Sequence, residues 1–204
     1  MNETATSPAY RRAEPDARRL SLIEACAQVL ARNGAAGASV RAIAQEAGAS
    51  VGLVGHYFGG IDALVASTYD HVDRQVTAAL DDAVAAAGMN PRDRLEAFVT
   101  ASFAAPIADP ALLATWIAFW SLVTARKDIA RQHDEQYAGY RARLEALLGD
   151  CGVPQHARRR HAIAVTALVD GLWLELCLSP GCFTAEEARD IARSFLATII
   201  SQDR

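Results

Sequence analysis

The sequence predicts an all-α protein: an N-terminal three-helix unit containing a helix-turn-helix, followed by a larger C-terminal helical bundle, about nine helices in all. Three observations predict this. Alanine and leucine recur through 204 residues that are 51% apolar, and only 7 prolines and 13 glycines interrupt them. No stretch alternates β-branched with polar residues over the length of a strand. A chain this long and this apolar can bury a sizeable core.

Start and stop signals place the elements. Residues 1–15 mix Ser, Thr, Pro and charge without periodicity, as a flexible arm does. From Asp16 to Asn33, Leu20, Ile23, Ala27 and Leu30 recur at helical spacing, and Gly34 is a stop. A short helix follows the N-cap Ser39 and ends at Gly48, and another follows Ser50 and reaches about Phe58. A long helix is expected from Ile61 to about Ala87, with Leu64, Tyr69, Val72, Val76 and Leu80 as its apolar stripe. Further helices are expected from Pro91 after Asn90, from Pro110 after Asp109, near Asp128, and from Gln155 after Pro154. The last begins at Thr184, where Thr184-Ala-Glu-Glu187 has the form of a capping box, and runs to about Ser201. These elements divide the chain into an arm (1–15), a helix-turn-helix unit (16–65) and a larger domain (66–204).

Composition limits the function classes. The formal charge is −4, with nineteen arginines and a single lysine, Lys127. Residues 1–65 hold six arginines and six acids and are neutral, so bulk charge says nothing for or against nucleic acid. Cys26, Cys151, Cys177 and Cys182 form no CxxC pair and the N-terminus lacks the design of a signal peptide, which predicts a reduced, cytoplasmic protein. The longest apolar stretch, Ala162 to Leu178, contains Asp170 and Glu175, both costly in lipid, and reads as a buried helix with no membrane partner.

The region from Val40 to Phe58 carries the most specific signal. With Val40 opening its helix, Ile43 and Ala47 face inward, Ala44 is small enough for a second helix to cross closely, and Gly48 suits a turn of positive φ. Val54 and Phe58, four apart, then pack the next helix back onto the unit. A helix held this way presents its N-terminus to a major groove, with free N–H groups and the Ser50 hydroxyl toward phosphates.

Residues 47–58, Ala-Gly-Ala-Ser-Val-Gly-Leu-Val-Gly-His-Tyr-Phe, followed by Asp62-Ala63-Leu64, resemble the DNA-binding signature of the TetR family, over about residues 17–65. Gly52 and the Gly-His-Tyr-Phe ending most resemble the choline-responsive BetI-type regulators, and the stretch from Gly171 to Leu178 is loosely similar to that subgroup as well. The resemblance implies a TetR-like fold and a repressor that binds a palindromic double-stranded DNA operator as a dimer and is released by a ligand. It implies base-edge contacts from Val51, Leu53 and Gly55, backbone contacts from Ser50, His56 and Tyr57, and a phosphate beside Arg41. Gly52, without a side chain, lets the backbone approach the duplex. Val51 and Leu53 offer only apolar contact to thymine methyls, so specificity is expected to lean on DNA shape and on Arg11 and Arg12 in the minor groove. Where the family usually has a phosphate-binding lysine, this chain has Ile61, which predicts a shallow salt dependence.

In the larger domain, the helix from Gln155 is apolar nearly all round, with Leu168, Leu172, Trp173 and Leu176 pointing in different directions. The last helix adds Ile191, Phe195, Leu196, Ile199 and Ile200, so a two-fold four-helix interface of these two helices with their copies is expected, and the resemblance implies the same homodimer. Trp116, Phe119, Trp120 and Val123 share one helical face, and Asp170 shares another with Thr166 and Trp173. Together with Phe103 these residues form a candidate pocket. Aromatic rings with a carboxylate suit a cationic effector, choline-like or a polyamine, with Asp170 or Glu175 as counter-ion. The same aromatic stripes also suit plain core packing.

Rival classes fit less well. No histidine has a glutamate three residues before it, and Cys151, His156 and His161 are spaced five apart, so they point away from one another around a helix. Neither GxSxG nor a P-loop occurs. No catalysis, metal or cofactor is expected. A helical module that binds another protein instead of DNA would have no need of the Ala44, Gly48 and Val54 spacing. Arg158-Arg159-Arg160 reads as solvated surface.

Overall fold

The computed structural model describes residues 8–202, and side chains from residue 15 to residue 201. Among the described residues there are nine α-helices and no strand. They are α1 (Pro8–Gly37), α2 (Val40–Glu46), α3 (Val51–Phe58), α4 (Ile61–Ala86), α5 (Pro91–Thr100), α6 (Pro110–Val123), α7 (Lys127–Asp150), α8 (Gln155–Leu178) and α9 (Ala185–Gln202). A short 3-10 turn, Ala101–Phe103, follows α5 and was not expected.

Most boundaries sit where the capping residues place them. Ser39 accepts a hydrogen bond from Ala42 N–H (3.2 Å), Asn90 from Arg92 N–H (3.0 Å), and Asp109 from the N–H groups of Ala111 and Leu112. At Thr184 the capping box is reciprocal. The Thr184 N–H donates to Glu187 Oε2 (2.7 Å) and the Glu187 N–H donates to Thr184 Oγ1 (3.2 Å). Two expectations need correction. α1 begins at Pro8, so the segment 8–15 assigned to an arm is helical; proline tolerates a first helical position because its missing N–H has no partner there. Leu20 is 41% exposed, and Leu22, Cys26 and Val29 join Ile23 and Leu30 on the buried face instead. Gly34 interrupts α1 at φ 65°, as its place after the periodic stretch predicts.

α1, α2 and α3 close around Leu22, Leu30, Ile43 and Val54, and α4 adds Leu64 to the same core. The expected border at residue 65 does not separate two cores. One contiguous cluster runs from Leu22 to Ile200, and α1 lies along α6, where Thr115 Oγ1 donates to the Ala27 carbonyl (3.2 Å). α4 and α7 run side by side in parallel. Arg126 at the head of α7 pairs with the Asp62 carboxylate (2.9 Å), Gln132 donates to the Ala66 carbonyl (3.1 Å), the Tyr69 hydroxyl lies 3.0 Å from His133 Nδ1, and Arg143 pairs with Asp81.

Gly48 turns the chain between α2 and α3 at φ 58°, and a Cβ there would meet no atom within 4 Å. The cost of a side chain is therefore conformational alone. Gly48→Ala is expected to lower unfolding stability by about 1–2 kcal/mol, read as a shift in the urea midpoint at unchanged m-value.

Candidate functional site: a helix-turn-helix reading head and an acidic aromatic cavity

The reading head is held from beneath. Val54 and Ile43 are fully buried, Ala44 lets the helices cross with its carbonyl accepting from the Ala49 N–H (2.8 Å), and the half-buried Phe58 ring lies under the Arg19 guanidinium (5.0 Å). This leaves one face of α3 in solvent. Val51, Gly52, Gly55 and His56 are exposed, whereas Leu53 and Tyr57 are half-buried and pack partly against the core. Ser50 and Arg41 are exposed, and the Ser50 hydroxyl makes no capping hydrogen bond. Ile61 is half-buried against the core, so an apolar contact stands at this position. The expected minor-groove contacts of Arg11 and Arg12 lie outside the described side chains.

In the larger domain a cavity of ≈ 60 Å³ lies between α4, the 3-10 turn, α6, α7 and α8. Of the aromatic residues expected there, Trp116 and Trp173 line it, together with Asp170. Phe119 is fully buried and stacks edge-on to Tyr69 and Trp116 (4.6 and 5.9 Å between centroids), supporting the wall from behind. Phe103 is core, and Trp120 borders an adjoining recess of ≈ 370 Å³ with His133, Tyr137 and Asp170. Glu175 is exposed and lies outside the cavity lining, because it sits on the far side of α8 from Asp170. The structure adds residues that the sequence reading missed: Asp73 from α4, and Tyr137 and Tyr140 from α7. Asp73 is flanked by Asp70 and Arg74, as on any solvated helix face, so nothing in its local pattern marks it.

The cavity is electrostatically unusual. Burial pushes the Asp170 carboxyl up to about 6, against the opposing effects of the Tyr137 hydrogen bond (3.2 Å) and the Arg141 charge. Burial, helped by the Asp70 charge, pushes Asp73 up to about 6 as well. No Lys or Arg side chain lines this cavity. The rings of Trp116 and Trp173 lie 6.3 Å apart, and Trp173 is pinned by its Nε1–H donating to the Ser102 carbonyl (2.8 Å). Two desolvated carboxyls beside aromatic faces favour a positive charge.

Comparison with known proteins agrees with both halves. Residues 22–68 match the family described as bacterial regulatory proteins, tetR family, and residues 91–201 match that described as BetI-type transcriptional repressor, C-terminal. The HTH-type transcriptional regulator BetI of Paraburkholderia phytofirmans is 35% identical over 186 residues, covering 90% of this chain and 94% of its own. A transcriptional regulator of Pseudomonas aeruginosa PAO1 of known structure superposes at a TM-score of 0.82 with 41% identity, covering 96% of this chain and 98% of that one. The fold also matches a Saccharomonospora viridis regulator solved in complex with choline (TM-score 0.76, 19% identity, 89% of this chain and 96% of that one). This chain belongs to the TetR family of bacterial transcriptional regulators, and its C-terminal domain is of the BetI type.

Proposed function

We propose that the chain is a repressor that binds a palindromic DNA operator as a homodimer and releases it when a small organic cation occupies the cavity between α4, α6, α7 and α8. The observation that carries this reading is that one helix serves both places. Only two residues, Gly59 and Gly60, separate the end of the recognition helix α3 from the start of α4, which further along contributes Asp73, Val76 and Leu80 to the cavity wall. The cavity, at ≈ 60 Å³, is far below the roughly 300 Å³ of ordinary ligand sites, so an effector must part its walls. Parting them displaces α4 against α7 and turns the reading head out of register with successive major grooves.

In this proposal Val51, Leu53 and Gly55 of α3 face base edges, Gly52 lets the backbone approach the duplex, and Arg41, Ser50, His56 and Tyr57 hold the DNA backbone. Their exposure supports it for all but Leu53 and Tyr57, whose half-burial leaves only their outer edges for DNA. The dimer is supported by an apolar face of α8 that the single chain leaves bare. Ile163, Ala167, Gly171, Leu174 and Leu178 fall on one side of the helix and are all exposed, and Ile191 of α9 is exposed as well. Leu196, Ile199 and Ile200, also considered for the interface, are buried within the chain. The effector is a cation because two desolvated carboxyls and two tryptophan rings meet at the cavity, and choline, the ligand of the S. viridis protein, is one member of that class.

Selection from a random DNA pool by the purified protein is expected to enrich a palindrome, and a pool that never enriches would instead favour a protein–protein role. With Ile61 at the start of α4, log affinity against log salt for that site is expected to fall with a slope shallower than about −5, equivalent to fewer than six ionic contacts. The cavity acids make a stability prediction. A carboxyl whose pKa is raised in the folded state destabilises it once the pH exceeds the ordinary carboxylate value, and fully so above the folded pKa of about 6. Asp170→Asn is therefore expected to raise the thermal midpoint of the effector-free protein by a few degrees at pH 7.5, with the gain shrinking as pH falls toward 4. A constant gain across that range would remove Asp170 as the strained acid.

A further inference from the structure

The two cavity acids stand on different walls. Asp170 comes from α8 and Asp73 from α4, and after burial the influence that most raises Asp73 is Asp70, not Asp170. Each acid also faces its own recess. On the Asp170 side lies the recess of ≈ 370 Å³ that includes Trp120, His133 and Tyr137. On the Asp73 side a second recess of ≈ 380 Å³ is bounded by Phe98, Gln136, Tyr140 and Arg143. Arg143 does not neutralise Asp73, because its guanidinium pairs with Asp81 and lies over the Phe98 ring (5.5 Å). Arg74, the nearest cation in sequence, pairs with Asp70 (2.9 Å). Gln136 Oε1 is buried in the Asp73 recess and accepts no hydrogen bond from the described residues. A buried acceptor without a donor, beside a half-buried carboxylate, is a place for an ammonium group. Between the two acids the wall is apolar, with Val76 and Leu80 from α4 and Val169 from α8.

We propose that the effector carries a positive charge at each end of an apolar chain, an α,ω-diamine or longer polyamine, with one ammonium held by Asp170 and Tyr137 against the tryptophans and the other by Asp73 and Gln136. This deepens the cation reading above and rests on it. The methylene chain covers Val76, Leu80 and Val169, and the second ammonium attaches the ligand directly to α4. A single compact cation supplies one positive charge and leaves one of the two half-buried acids without a counter-ion.

The test is calorimetric titration of the full-length protein at pH 7.5 with straight-chain α,ω-diamines of increasing length, the monoamines of matching length, choline and tetramethylammonium. One diamine is expected to bind about tenfold or more tightly than its monoamine, the discrimination that a close charge pair supplies, and Asp73→Asn is expected to reduce that ratio to near one. Choline or a monoamine binding the unaltered protein as tightly as every diamine overturns the two-charge site and leaves the cation reading standing. If no cation in the series binds, both fall. The ligand series on the unaltered protein decides the matter even if the variant does not fold.

Discussion

The molecule depends on α4 being packed in two places at once. Near its start Leu64 is buried with α1, α2 and α3, and further along Tyr69, Val72 and Leu80 are buried in the larger domain. A rigid helix spanning both cannot tilt at one end without moving the other. α7 reinforces this by lying alongside, with polar links at Asp62, Ala66, Tyr69 and Asp81. The cavity is set between these two helices, past the Tyr69 link and before the Asp81 link.

The cavity also holds groups that the fold places unfavourably. Asp73 and Asp170 are half-buried, and burial raises the proton affinity of both. The apolar α8 face is a second unfavourable feature of the single chain, since Ile163, Leu174 and Leu178 remain in water. The proposed function relieves both: the first by a counter-charge, the second by a second copy.

Much of this was legible in the residues. The helix-turn-helix is a local object, with Ser39, Ala44, Gly48 and Val54 within sixteen positions of one another, each demanded by backbone geometry or close helix approach, so spacing alone reveals it. The capping residues Asn90, Asp109 and Thr184 act within one helical turn and mark their boundaries for the same reason. The start of α1 was misplaced because residues 8–15 have no apolar periodicity to signal a helix. Phe103 and Phe119 were placed in the pocket because an aromatic looks the same in a sequence whether it lines a cavity or supports its wall.

The amino-acid order was sufficient for the all-helical class, the helix-turn-helix and the order of the helices, because each rests on interactions between residues near in the chain. The junction of α1 with α6, the parallel pairing of α4 with α7, and the meeting of Asp73 with Asp170 across one cavity join residues dozens to about a hundred positions apart. Those depend on how apolar faces share a single core. That sharing is settled by the packing of all the helices together, and no local pattern encodes it.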